Sequence, residues 1–242
     1  MPDFPTAYPA VAEPGAPVPE STPPAARDAV EDEAREAAAA AVPDVAPTPA
    51  RKRPKPGERR VQILQTLAAM LEEPGAERIT TAGLAAKLSV SEAALYRHFA
   101  SKAQMFEGLI EFIESSVFTL VNQITERDAD PAQQARRIVF VLLQFGEKNP
   151  GMARVMVGDA LVFENERLSA RMNQFFDKVE SSLRQALRTA AEASGSSTPT
   201  VEAQAQASVL VSFIIGRLQR YARSGFKRLP TEQLDAAMRM LA

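Results

Sequence analysis

From Glu58 onward, apolar residues return every three or four positions, the period of a helix packed on one side. No stretch alternates apolar with polar residues as a half-buried strand does. The segment RRVQILQTLAAMLEE sets Val61, Leu64, Leu67, Ala68 and Leu71 at helical spacing. Thr80 and Ser91 stand before two short helical segments, TTAGLAAKL and SEAALYRHF, where a side-chain oxygen can cap the free amides of a first turn. Ser101 caps a longer helix expected to run to about Ile124, and Asp130-Pro131 opens another that ends in EKNPG. Further helices are expected at about 152–157, 164–193, 201–225 and 231–241, parted by SGSSTPT and RLPTE. The pattern predicts nine helices and an all-α fold.

Upstream of Glu58 the composition changes. Residues 1–56 hold 13 of the 18 prolines and almost no large apolar side chains, so they are expected to form a disordered tail. Within it, EDEAREAAAA could form a transient helix, and its acidic cluster, lacking histidine, reads as a solvated run. The tail ends in RKRPKPGERR, with six basic residues and one acidic, a basic arm carrying Arg51 and Arg53. Beyond the tail, residues 57–117 are expected to form one domain and residues 118–242 a second.

Charge sharpens this division. Residues 1–50 sum to −7, residues 51–102 to +5, and residues 103–242 hold 16 of each sign, which points to an anionic partner for the middle stretch alone. No apolar run approaches the roughly 20 residues that span a bilayer, no signal peptide is expected, and there is no cysteine. A cytoplasmic protein without a membrane partner is the expectation.

The middle stretch also carries the candidate chemistry. Val90 and Leu95 flank the Ser91 cap as a hydrophobic staple, and Leu95 and Phe99, one turn apart, face the bundle. Ala93, Ala94 and Arg97 then point outward, with Tyr96 and His98 on the flanks. Small methyls permit close approach to a major groove, arginine can pair with guanine, and the phenol and imidazole can hold phosphates. Thr80, Thr81, Ser91 and Lys102 suit further phosphate contacts. His98 is the only histidine. With no nucleophile elbow, phosphate loop or dinucleotide fingerprint, neither an enzyme nor a cofactor is expected.

The segment ITTAGLAAKLSVSEAALYRHFASKAQMFEGLI resembles the helix-turn-helix of the TetR family, whose Tyr-x-His-Phe-x-x-Lys signature falls on Tyr96, His98, Phe99 and Lys102. Ser89 departs from it, standing where the turn usually has glycine. The resemblance implies dimers on palindromic double-stranded DNA, their recognition helices about 34–36 Å apart. It also implies a dimer interface on the helices at about 201–225 and 231–241. The segment AQAQASVLVSFIIGRLQRYA, apolar over more than one stripe and interleaved with Ala, Ser and Gly216, suits that interface, although a fully buried core helix reads the same way. The usual family plan adds a ligand pocket, so a ligand-responsive repressor is the alternative reading.

A second surface is written on the fourth and fifth helices. Met105, Leu109, Ile113, Val117, Leu120 and Ile124 form one stripe, with Phe106 and Ile110 adjoining, and Phe112 falls about 110° off its centre. On the fifth helix Ala135, Val139, Leu142 and Leu143 face inward, and Arg137, Val141, Gln144 and Lys148 share the opposite side. An apolar patch with a basic rim suits an acidic–apolar peptide, and a half-exposed phenylalanine covered by a loop fits equally well. MFEGLIEFIESS, FGEKNPGMARVMVGDALVFENERL and RSGFKRLPTE extend the resemblance over about residues 58–242, to the nucleoid occlusion branch of the TetR family. That likeness implies a DNA-bound, nucleoid-associated dimer that recruits FtsZ by its C-terminal tail and antagonises its assembly. The implied groove is Phe112, Val141, Gln144, Lys148 and Asn149, with Gln144 in place of a smaller residue.

Overall fold

The computed structural model describes residues 57–73 and 79–241. The expectations for the tail, including Arg51, Arg53 and the EDEAREAAAA segment, lie outside the described residues. Among the described residues there are nine α-helices and no strand. They are α1 (Glu58–Glu72), α2 (Thr81–Lys87), α3 (Glu92–Tyr96), α4 (Lys102–Arg127), α5 (Pro131–Lys148), α6 (Pro150–Met156), α7 (Glu166–Ala193), α8 (Pro199–Arg223) and α9 (Leu234–Leu241). A 3₁₀ turn, Asp159–Leu161, follows α6.

The caps form where the sequence puts them. Thr80, Ser91 and Ser101 accept hydrogen bonds from the amides of Gly83 (3.1 Å), Ala94 (3.3 Å) and Gln104 (3.2 Å). Asp130 accepts from Ala132 (2.9 Å), with Pro131 in the first turn of α5. The last helix starts later than expected, because the Thr231 amide and hydroxyl bond to the Glu147 carboxylate and Gln233 is left-handed (φ 53°).

Two stripes are corrected. On α1, Ile63, Leu67 and Leu71 are buried, while Val61 is 54% exposed. On α4 the buried row runs Met105, Leu109, Ile113, Val117, Val121, leaving Leu120 on the surface. Both rows keep strict i, i+4 spacing, the ridge along which helices seat against one another.

Helices α1–α3 make a bundle closed by Leu84, Leu95 and Phe99. Helix α6 packs on both α1 and α8 and so joins this bundle to the remaining helices, among which α7 lies along α8. At the α1–α6 crossing, a β-carbon on Gly151 would land on the Ala68 carbonyl, whose carbon would be 3.0 Å away. Gly108 on α4 faces side chains, and a β-carbon there would meet the Leu64 methyls at 3.1 Å and the Phe99 ring at 3.6 Å. No polar or charged residue is buried among the described residues.

Three helix ends share one device. After α2 the Ser89 amide bonds Ala86 O and the Val90 amide bonds Ala85 O, the paired bonds of a Schellman cap. Helices α7 and α8 end likewise, with Gly195 (φ 79°) and Gly225 (φ 62°) at the left-handed position. Serine occupies it in the helix-turn-helix, with φ 53°. A left-handed non-glycine residue costs about 1–2 kcal/mol. Ser89→Gly is therefore expected to raise the thermal midpoint by about 2–8 °C, and an unchanged or lower midpoint in a melting experiment would contradict this account.

Candidate DNA and partner interfaces

Helix α3 is barely more than one turn, and its burial pattern sorts its functions. Leu95 and Phe99 are sunk into the bundle, and Ala93, Tyr96, Arg97 and His98 are exposed, with Ala94 partly so. The outward surface is thus two methyls flanked by a phenol, a guanidinium and an imidazole. Arg60 fixes its far end, donating to the His98 carbonyl (3.0 Å) and lying 4.1 Å over the Phe99 ring. Sequence reasoning missed this role for Arg60, since its partners lie 38 residues away. Thr81 donates to the Glu92 carboxylate (2.6 Å), coupling the starts of α2 and α3, while the Thr80 and Ser91 hydroxyls serve as caps.

Lys102 is placed differently from its neighbours. It ion-pairs with Glu164, its side chain is 26% exposed, and its ammonium lies 5.7 Å from the Phe106 ring centre. A phosphate contact by Lys102 uses an ammonium N–H left over from that pair or opens the pair. Two further bridges follow along α4, Glu107 with Arg167 (2.6 Å) and Glu114 with Arg171 (2.6 Å), so the start of α7 is laced to α4. The hydrogen bond to Glu114 holds the Arg171 guanidinium above its ordinary range, against the opposing effect of burial.

Ten residues along α4 from Lys102, Phe112 is 47% exposed, with its ring 6.4 Å from that of Phe145 on α5. Val141 and Gln144 are partly buried and Lys148 is exposed. Asn149 is engaged by the fold, its side-chain amide donating to the Phe145 carbonyl (2.7 Å) where α5 hands over to α6. Arg137 pairs with Asp128 (2.5 Å). The exposed Phe140 went unread, although it stands three residues from Arg137 and four from Gln144, on the outer half of α5.

On α8, Val209 is exposed and a side chain on Gly216 would meet open space. Among the described residues no cluster of three His, Cys, Asp or Glu could hold a metal ion, and no helix is long and apolar enough to cross a membrane.

Residues 63–109 match the tetR family of bacterial regulatory proteins, and residues 131–242 match the SlmA-like C-terminal domain of tetracyclin repressor-like proteins. Nucleoid occlusion factor SlmA of Photobacterium profundum is 49% identical over 189 residues, 78% of this chain and 96% of the relative. SlmA of Vibrio cholerae is 50% identical over 185 residues, 76% and 94% of the two chains. Among solved structures, the TetR-family regulator PfmR from Thermus thermophilus superposes with a TM-score of 0.60 at 20% identity, over 75% of this chain and 94% of that one. The fatty acid degradation regulator FadR from Bacillus halodurans does so with 0.62 at 14%, over 79% and 96%. At such identities the solved structures speak for the fold alone. Half of the aligned residues agree across nearly the whole length of the SlmA proteins, and on that ground the chain belongs to the SlmA family of nucleoid occlusion factors, within the TetR class.

Proposed function

We propose that this protein is a nucleoid occlusion factor that binds palindromic chromosomal sites as a dimer, recruits FtsZ there, and antagonises division-ring assembly over the nucleoid. The observation that carries the reading is Phe112, a large apolar side chain left half exposed beside Phe145 of α5, on a chain half identical to SlmA proteins. Gln144 and Asn149 complete the groove, which takes the C-terminal tail of FtsZ.

DNA is held by α3, with Arg97 reading bases, Ala93 and Ala94 allowing close approach, and Tyr96, His98, Thr80 and Ser91 on the phosphates, joined by Thr81 when its hydroxyl leaves Glu92. Arg51 and Arg53 add a basic arm, and Lys102 joins through a left-over ammonium N–H or on release from Glu164. Residues 57–117 act as the DNA-binding part and residues 118–242 as the part for dimerisation and the partner. Support for the dimer comes from α8, where Ala205, Val209, Ser212 and Gly216 form an outward stripe; a helical glycine facing open space costs about 1 kcal/mol relative to alanine unless a second helix packs there. The α9 end, with Met240 exposed, extends that seam. The protein acts in the cytoplasm, on the nucleoid.

The deciding experiment is FtsZ polymer sedimentation with GTP, with this protein present, with and without a duplex it binds. Polymer is expected to fall when the duplex is added; polymer that is unchanged in both arms would refute the reading.

A further inference from the structure

The turn between α8 and α9 encloses a depression of about 690 Å³ lined by Phe213, Arg217, Arg220, Lys227, Arg228 and Glu232. Residues 217–232 carry five cations and a single carboxylate, whereas residues 103–242 as a whole hold 16 charges of each sign. Among the described residues, Arg220, Lys227 and Arg228 have no ion-pair partner. Arg217 is positioned but not neutralised: it donates to the Glu232 backbone carbonyl (2.9 Å) and lies 4.9 Å over the Phe213 ring.

The turn is rigidly made. Gly225 and Phe226 are both left-handed (φ 62° and 63°), an unfavourable conformation for phenylalanine. The Phe226 ring is clamped between Tyr221 (5.2 Å) and the Arg154 guanidinium (5.1 Å). Ser224 Oγ accepts from the amides of Lys227 (3.1 Å) and Arg228 (2.9 Å), which fixes the backbone of both cations. Tyr221 donates to the Glu147 carbonyl (3.0 Å), and Thr231 bonds the Glu147 carboxylate. The turn is thereby tied to the last turn of α5, next to Lys148 and Asn149. Like charges held together without a counter-charge repel one another, and an anion relieves that repulsion.

We infer that this depression is a second contact for the protein partner, binding an acidic segment of it while the apolar anchor sits on Phe112. The inference rests on the function proposed above. Arginine forks suit carboxylates. Glu232 and Phe213 on its wall oppose a continuous phosphate strand but accept a segment that mixes acidic with apolar side chains. Arg217 stands about 100° around α8 from Gly216, while Arg220, four residues on, continues the Gly216 stripe, so the depression opens beside the dimer seam.

The test compares wild type, Phe112→Ala, a Lys227→Glu/Arg228→Glu double variant and its Lys227→Gln/Arg228→Gln counterpart, all as full chains. Each is titrated with purified FtsZ, with a duplex the wild type binds, and with phosphatidylglycerol vesicles, at two ionic strengths. The charge reversal is expected to weaken FtsZ binding about tenfold and to flatten its salt dependence, with the glutamine pair intermediate and duplex affinity within twofold of wild type. Unchanged FtsZ binding in the charge reversal, while Phe112→Ala loses it, would overturn the inference and leave the proposed function standing. A parallel fall in duplex affinity would assign the cations to DNA, and a loss confined to vesicles would assign them to lipid; either overturns it too. A wild type that does not bind FtsZ removes both readings together.

Discussion

Phe112→Ala is expected to keep duplex affinity within about twofold of wild type and to weaken FtsZ binding by thirtyfold or so, the effect of losing a buried aromatic anchor worth about 2 kcal/mol. The residue is separated from the DNA face by ten residues of α4, about 15 Å of helix. Its ring touches Phe145 from outside, while the core row of α4 passes through Ile113 and Leu109. Truncation therefore opens no cavity in the interior, and the fold should be retained. The measurement is FtsZ sedimentation on saturating duplex, paired with a duplex titration. If the variant suppresses polymer as wild type does, the α4–α5 groove is not where FtsZ binds.

Gly151→Ala is expected to act through stability. The first turn of α6 lies against the backbone of α1, and the added methyl can be accommodated only by moving one helix from the other, since its obstacle is the Ala68 carbonyl and not a flexible side chain. Overpacking of this kind costs about 1–3 kcal/mol, occasionally more. At this chain length that corresponds to a midpoint lowered by about 3–10 °C. DNA affinity should fall as well, because α1 holds the end of α3 through Arg60. A melting curve that superimposes on wild type would show that the two helices have room to spare.

Much of this was legible in the chain itself. A cap is a local event, so Thr80, Ser91, Ser101 and Asp130 could be read from a few residues each, and they fixed where four helices start. Ser89 was marked only through the family resemblance, as standing where the turn usually has glycine, and its left-handed backbone is the reason. The outer face of α3 followed from the two bulky residues, Leu95 and Phe99, that had to be inside. Helix α1 was harder: Val61, Ile63, Leu64, Leu67, Ala68, Met70 and Leu71 wrap around much of its circumference, so periodicity could not choose the centre. Packing against its neighbours chose Ile63 over Val61. At the sites, the offset of Phe112 was visible in the spacing, but its tilted contact with the Phe145 ring and the pairing of Lys102 with Glu164 join distant positions that no local pattern connects.

The course of α4 has one more consequence. It begins beside the recognition helix, carries Phe112 on its outer side, and contains no proline and no left-handed residue. Gly108 seats it against the helix-turn-helix, and the bridges to Glu164, Arg167 and Arg171 bind it to the start of α7. On the proposed function, operator choice and partner choice are thus inherited on one rod. A lineage that re-aims α3 toward a new DNA site by shifting α4 also displaces Phe112, and must compensate on α5 to keep its partner. The two specificities of such a protein are expected to evolve in step.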